Sequence, residues 1–211
     1  MKYAELHCIS NFTFLRGASH PEELIQFAAK LNYESIAITD ECSLAGIVRA
    51  HVASKKYRIK LIVGSEVTLD DGLHLVLLAK NKKGYENLSK LITHGRRKAH
   101  KGQYYLTRDD IAQGVPDCIA LWHPKTLSQK DGIWLSKVFP NMIWVSVRSL
   151  ANSKTRHQNY RLIEFARKIN LPCLATGNVH MHKRERRYLQ DIVTAIRLGR
   201  PLSELGYQLN Q

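Results

Sequence analysis

Acidic residues are scarce in this chain. Only 18 Asp and Glu stand against 32 Lys and Arg, leaving a net charge of +14 over 211 residues. That balance points to a polyanionic partner, most simply nucleic acid met directly or through a larger assembly, or to a basic face docked on an acidic protein surface. Cysteine is sparse too. The four are Cys8, Cys42, Cys118 and Cys173, and none forms a C-x-x-C pair. A disulfide scaffold is thereby excluded, and a reduced, cytoplasmic setting is expected. Long apolar runs are absent. The longest, Leu73 to Ala79, is broken by His74 and is far too short to cross a membrane. The opening MKYAELH carries an acidic residue where a signal peptide is apolar. No internal repeat or low-complexity stretch occurs.

Strand-like and helix-like segments alternate. Strands are expected at Tyr3–Ile9, 35–39, 60–67, 73–79, 117–122, 142–147 and 171–176. Helices are expected from SHPEELIQFAAKL, where Ser19 and Glu22 have capping-box spacing, and over 43–56, 83–97, 128–138, 155–169 and 184–198. The turn Asp70-Asp71-Gly72 makes 60–67 and 73–79 a hairpin or adjacent strands. In the last helix Leu189, Ile192, Val193 and Ile196 share a stripe. Repeated β-then-α order predicts a parallel sheet covered by helices, barrel-like or doubly wound, in which active sites lie at the C-terminal strand ends. The chain is expected to be one domain, 1–211, cut from something longer.

Polar side chains recur at those strand ends. His7 follows the first strand, Thr39-Asp40-Glu41 the second, His123-Pro124 the fifth and Asn178-Val179-His180 the last, with Glu66 inside the third. Any one histidine there is ordinarily structural. Several in register suggest a metal site. Separately, Lys183, Arg184, Arg186 and Arg187 open the last helix, where positive charge opposes the dipole and invites an anion: nucleic acid, a neighbouring domain, or Glu185 within the chain. Arg96, Arg97, Lys98, Lys101 and Arg108 flank Tyr104 and Tyr105, a pattern suited to phosphate contact, base stacking or a solvated face.

The stretches YAELHCISNFTFLRGASHPEEL, IAITDECSLAGIVRAH, IVGSEV, LLAKNKKGYENLSKLIT and ATGNVHMHKRERRYLQDIVTAIRLGRP resemble the PHP domain at the N-terminus of bacterial C-family DNA polymerases, nearest the error-prone branch. The resemblance implies a distorted seven-stranded (β/α) barrel with metals at the strand ends. The family's first motif, His-x-His, here reads His7-Cys8-Ile9. An acidic residue before the turn glycine is here Arg16, which cannot ligate a cation. Thr-Asp-His becomes Thr39-Asp40-Glu41, and Asp-x-His becomes Asn178-Val179-His180. Glu66 matches the family's bridging glutamate, and His123 lies in a matching HP pair. His94 falls near another ligand position without a secure alignment.

On this resemblance His7, Glu66, His180 and His123 are residual metal positions, and Ile9, Arg16, Glu41 and Asn178 are altered ones. Arg16 is free to pair with Glu41 or Glu66. A cluster that hydrolyses phosphate esters needs several anionic and imidazole ligands. The expectation is therefore no cofactor, or at most one weakly bound divalent ion (Zn, Mn or Mg), in a domain that supports an error-prone polymerase in translesion synthesis. Its partners would be the palm, thumb and fingers of the same chain, and DNA through the holoenzyme, with no membrane. The alternative is a metal-dependent phosphoesterase or 3′–5′ exonuclease with an altered ligand set. A free-standing phosphatase of small metabolites is a third reading, against which the absent ligands count.

Overall fold

Residues 3–148, 153–206 and 209 are described by the computed structural model. Their contacts divide the chain into a first unit, Met1–Ile62 with Asn178–Gln211, and a second, Val63–Gly177.

In the first unit β1 (Ala4–Glu5) pairs in parallel with β2 (Ser35–Ile38), and β2 is buried on both faces. The expected strand Tyr3–Ile9 is thus shorter as a ladder. Its remainder continues extended to Cys8, which bridges Val179 in parallel. α1 (Pro21–Lys30) buries Leu24, Ile25 and Ala28, and packs on α2 (Ile47–Tyr57), which buries Ala50 and Ala53. The cap of α1 lies one residue beyond the expected pair. His20 is the N-cap, and its N–H donates to the Glu23 carboxylate at 2.9 Å. Ser19 instead lies 2.8 Å from His182 Nδ1. The turn between β1 and α1 needs Gly17, because a Cβ there would lie 2.1 Å from the Ser10 carbonyl oxygen. α7 (Arg187–Leu198) follows a 3₁₀ turn, Arg184–Arg186, and ends at Gly199 in the left-handed region (φ +63°).

In the second unit β3 (Lys60–Thr68) and β4 (His74–Ala79) form the expected hairpin, with Glu66 opposite Val76 and Thr68 opposite His74. Leu69 N–H to Leu73 O at 2.9 Å and Gly72 at φ +86° close the turn. β4 also runs antiparallel to β5 (Cys118–Trp122), while β5, β6 (Ile143–Arg148) and β7 (Cys173–Thr176) are parallel. The all-parallel sheet expected from β-then-α order is therefore corrected to a mixed one. A tight hairpin cannot join parallel strands, so β4 reverses, and β5, antiparallel to β4, returns to the direction of β3. α3 (Lys82–Arg97), α4 (Arg108–Ile111), α5 (Gln129–Val138) and α6 (Ser153–Lys168) complete this unit. Its core is Leu75, Leu77, Leu88, Leu121, Trp122 and Leu135, each at most 2% exposed.

Candidate functional site

Residues flagged at the strand ends fall in both units. In the first, His7 is buried at 3% exposure, and its backbone is fixed at both ends: its N–H donates to Glu5 Oε1 at 3.0 Å, and its carbonyl accepts from Val179 N–H at 2.9 Å. The bridge at Cys8 and Val179 thus brings His7 beside Asn178-Val179-His180. Ile9, at the lost imidazole position, is fully buried. Asn178 adopts φ +47°, a left-handed conformation that asparagine tolerates better than most residues, and its Oδ1 lies 3.2 Å from His180 Nε2.

Asp40, 1% exposed, organises the turn opposite. It accepts from Ser10 N–H at 2.8 Å, from Ser10 Oγ at 2.7 Å and from Thr13 Oγ1 at 2.7 Å. That is the environment of a carboxylate held by donors, a structural role. Thr13 Oγ1 in turn accepts from Glu41 N–H at 3.0 Å. So placed, Glu41 meets the Arg16 guanidinium at 2.6 Å, both side chains about a quarter exposed. The Arg16 carbonyl is anchored by Gln190 Nε2 at 2.7 Å.

In the second unit Glu66, 1% exposed, lies 3.4 Å from His74 Nε2. The two are diagonal neighbours across β3 and β4, which puts them on one face of the hairpin. The next strand end brings His123, whose N–H donates to the His74 carbonyl at 3.3 Å and whose ring stands edge-on to His74 at 6.3 Å. Nδ1 of His123 is 3.3 Å from both the carbonyl and the hydroxyl of Ser146. His74 is the functional candidate that the sequence reading missed. It stood in plain view as the one polar residue in LHLVLLA. His94, by contrast, lies on α3, paired with Asp110 at 2.8 Å. Within either unit, among the described residues, no three His, Cys, Asp or Glu side chains stand together in a metal-holding arrangement.

The basic segments are more self-satisfied than their sequence suggests. Arg186 pairs with Glu23 of α1, and Arg187 with Asp191 at 2.9 Å, so the internal anions are these rather than Glu185. Lys183 and Arg184 are exposed. Tyr104 accepts from Thr68 N–H at 3.0 Å, under Arg96, and Tyr105 donates to Asp70 at 3.0 Å. Arg108 bridges Asp71 at 2.5 Å and Asp131 at 2.6 Å over the Trp134 ring. Asp110 gathers His94, Lys98 and the Thr107 cap. Burial alone would raise its carboxyl, but those donors outweigh it and hold the group well below the usual carboxylate range. His182 is also lowered, by burial and by Arg186 and Lys183 against the pull of Glu23, so its imidazolium is disfavoured.

The sequence matches the PHP domain family over residues 5–151. The chain belongs to the PHP family. An error-prone DNA polymerase of Dechloromonas aromatica is 50% identical over 99% of this chain, and one of Methylococcus capsulatus is 49% identical over 98%. This PHP chain spans only about a fifth of the length of those curated relatives. Among solved structures, a protein from Bifidobacterium adolescentis assigned as a metal-dependent phosphoesterase superposes with a TM-score of 0.61 at 16% identity, over 85% of this chain and 88% of that one. An amidohydrolase from Chromobacterium violaceum, with bound sulfate and no metal, gives 0.59 at 14% identity, over 84% and 87%. That likeness shows the PHP fold, the distorted seven-stranded (β/α) barrel class.

Proposed function

We propose that this chain is the single PHP domain, residues 1–211, of an error-prone C-family DNA polymerase alpha-type subunit, a nucleotidyltransferase of the cytoplasm that acts in translesion synthesis during DNA replication and repair. Its own role is structural: it carries the palm, thumb and fingers of the parent chain, and reaches DNA through them. The observation that carries the structural role is α7. Its buried residues are the polar Gln190 and Thr194, while Tyr188 (70%), Leu189 (37%), Ile196 (60%) and Leu198 (38%) are exposed. An apolar stripe turned outward is the signature of a face that seats on something else.

The metal site is degenerate in this reading. Arg16 carries the cationic charge and neutralises Glu41. Ile9 and Asn178 offer no anionic or imidazole ligand, so His7 and His180 do not make up a multi-ion set. The donors left in the second unit, Glu66 and His123 with His74 added, suit one ion of modest affinity, and they favour the second reading: a metal-dependent phosphoesterase or 3′–5′ exonuclease with an altered ligand set. Such an ion would act as a Lewis acid on a phosphate oxygen. Elemental analysis of the purified chain, paired with hydrolysis of a generic phosphate ester, separates the readings. We expect fewer than one tightly bound ion per chain and no turnover. Two or more bound ions, with activity abolished by Glu66→Ala, would overturn the structural reading.

A further inference from the structure

A cleft of about 630 Å³ opens in the second unit where β5 and β6 end against α6. Its size falls in the range of small-molecule sites. Among the described residues three cations and His123 line it, and no carboxylate does. Lys125 comes from the segment after β5, Arg148 is the last residue of β6, and Arg161 stands on α6. Asn159 Nδ2 donates to the Arg148 carbonyl at 2.7 Å, which ties α6 to the strand end and holds Arg161 over the cleft. Thr126 adds a hydroxyl to the lining, and Leu127 and Leu162 supply an apolar wall.

We propose that this cleft binds the phosphate group of a nucleotide without a metal. An anion of charge near −2 is attracted to an opening lined by three cations. Two guanidiniums present planar forks that match phosphate oxygens in pairs, and Lys125 adds a point charge. A carboxylate has fewer acceptor oxygens and half the charge, and leaves one cation unmatched. The apolar wall has the chemistry to cover a sugar or base beside the phosphate. His123, a residual ligand position, also borders the cleft, but Lys125, Arg148 and Arg161 belong to none of those positions, so binding through them requires neither the supporting role nor a metal.

The test is a titration of the 211-residue chain in EDTA, followed by backbone amide NMR. The arms are inorganic phosphate, a deoxynucleoside and its 5′-monophosphate, and a short single strand with and without a 5′-phosphate. Shifts are expected to cluster at residues 123–127, 148 and 158–162. The monophosphate is expected to bind at least roughly tenfold tighter than the nucleoside, a preference that removal of one charge-assisted contact accounts for. Tighter binding of the phosphorylated strand than of its hydroxyl form assigns the group to a strand end, and preference for the free monophosphate assigns it to a nucleotide. Arg161→Glu and Lys125→Glu, both at exposed positions, are each expected to weaken phosphate binding by the same factor with an otherwise unchanged spectrum. Equal binding of nucleoside and monophosphate, shifts confined to α3 or to 183–187, or loss of binding in EDTA would each overturn the proposal.

Discussion

Asp40 illustrates how a residue in a family motif is bound into structure. It is buried and accepts from Ser10 and Thr13, which sets the turn that presents Arg16 to Glu41. Asp40→Asn keeps the shape but replaces an acceptor-only carboxylate with an amide, so one donor faces another. We expect a loss of about 2 kcal/mol, the scale of a hydrogen bond to a charged group, read from urea unfolding; an unchanged midpoint would contradict that role. Asp110 gives a pH signature. Its carboxyl is held low in the folded chain, so its pairing stabilises fully above the unfolded value, roughly pH 3.9, and is lost as the pH falls further. Asp110→Asn is therefore expected to flatten the fall in stability below about pH 4, measured as urea midpoints across an acid series. Identical slopes would remove Asp110 from the account. Much at this scale was legible. Arg16 beside Glu41 follows from charge and spacing once the turn glycine is recognised. His74 was not, because inside an apolar strand a lone polar residue reads as an interruption, and only the register of β3 against β4 puts it diagonal to Glu66.

At the scale of elements, periodicity located the longer helices and strands to within a few residues, since alternation and 3.6-residue stripes survive folding, and it missed the one-turn α4. It did not reveal direction. β4 runs against both β3 and β5, while β5 and β6 are parallel, only because a two-aspartate glycine turn makes a hairpin, a local cue that outweighs the general β-then-α rule. Nor did it reveal which side of α7 faces in. The stripe of Leu189, Ile192, Val193 and Ile196 has its ends exposed, while Gln190 and Thr194 are covered. Periodicity states that a face is apolar, and says nothing about whether the cover lies in the same unit. Ile196→Glu should accordingly change the stability of this chain by no more than about 0.5 kcal/mol. Leu205→Ala, at a position 2% exposed, should cost roughly 2–5 kcal/mol. Paired thermal melts decide it, and a large loss for Ile196→Glu would mean that the stripe is core.

For the whole molecule, charge was the least informative reading. Internal pairs take up some of the basic residues, Arg186 with Glu23, Arg187 with Asp191, Lys98 with Asp110, Arg108 with Asp71 and Asp131, and leave the +14 excess on the rest. A local concentration of positive charge lines the cleft of Lys125, Arg148 and Arg161. The order of the chain carries a different consequence. The first unit is discontinuous, for Val63–Gly177 intervenes between its two parts. The bridge beside His7 is completed only when Val179 is made, and the loop at Ala18 and Ser19 finds His180 and His182. At bacterial rates of synthesis those partners leave the ribosome roughly ten seconds after residue 62. The intervening unit, with its local hairpin and neighbouring strands, has its sequence complete by then. β1 and the Asp40 turn have their partners within the first 62 residues, but the segment at His7 must wait for its far one, and its closing against residues 178–180 is a late event in the birth of the molecule.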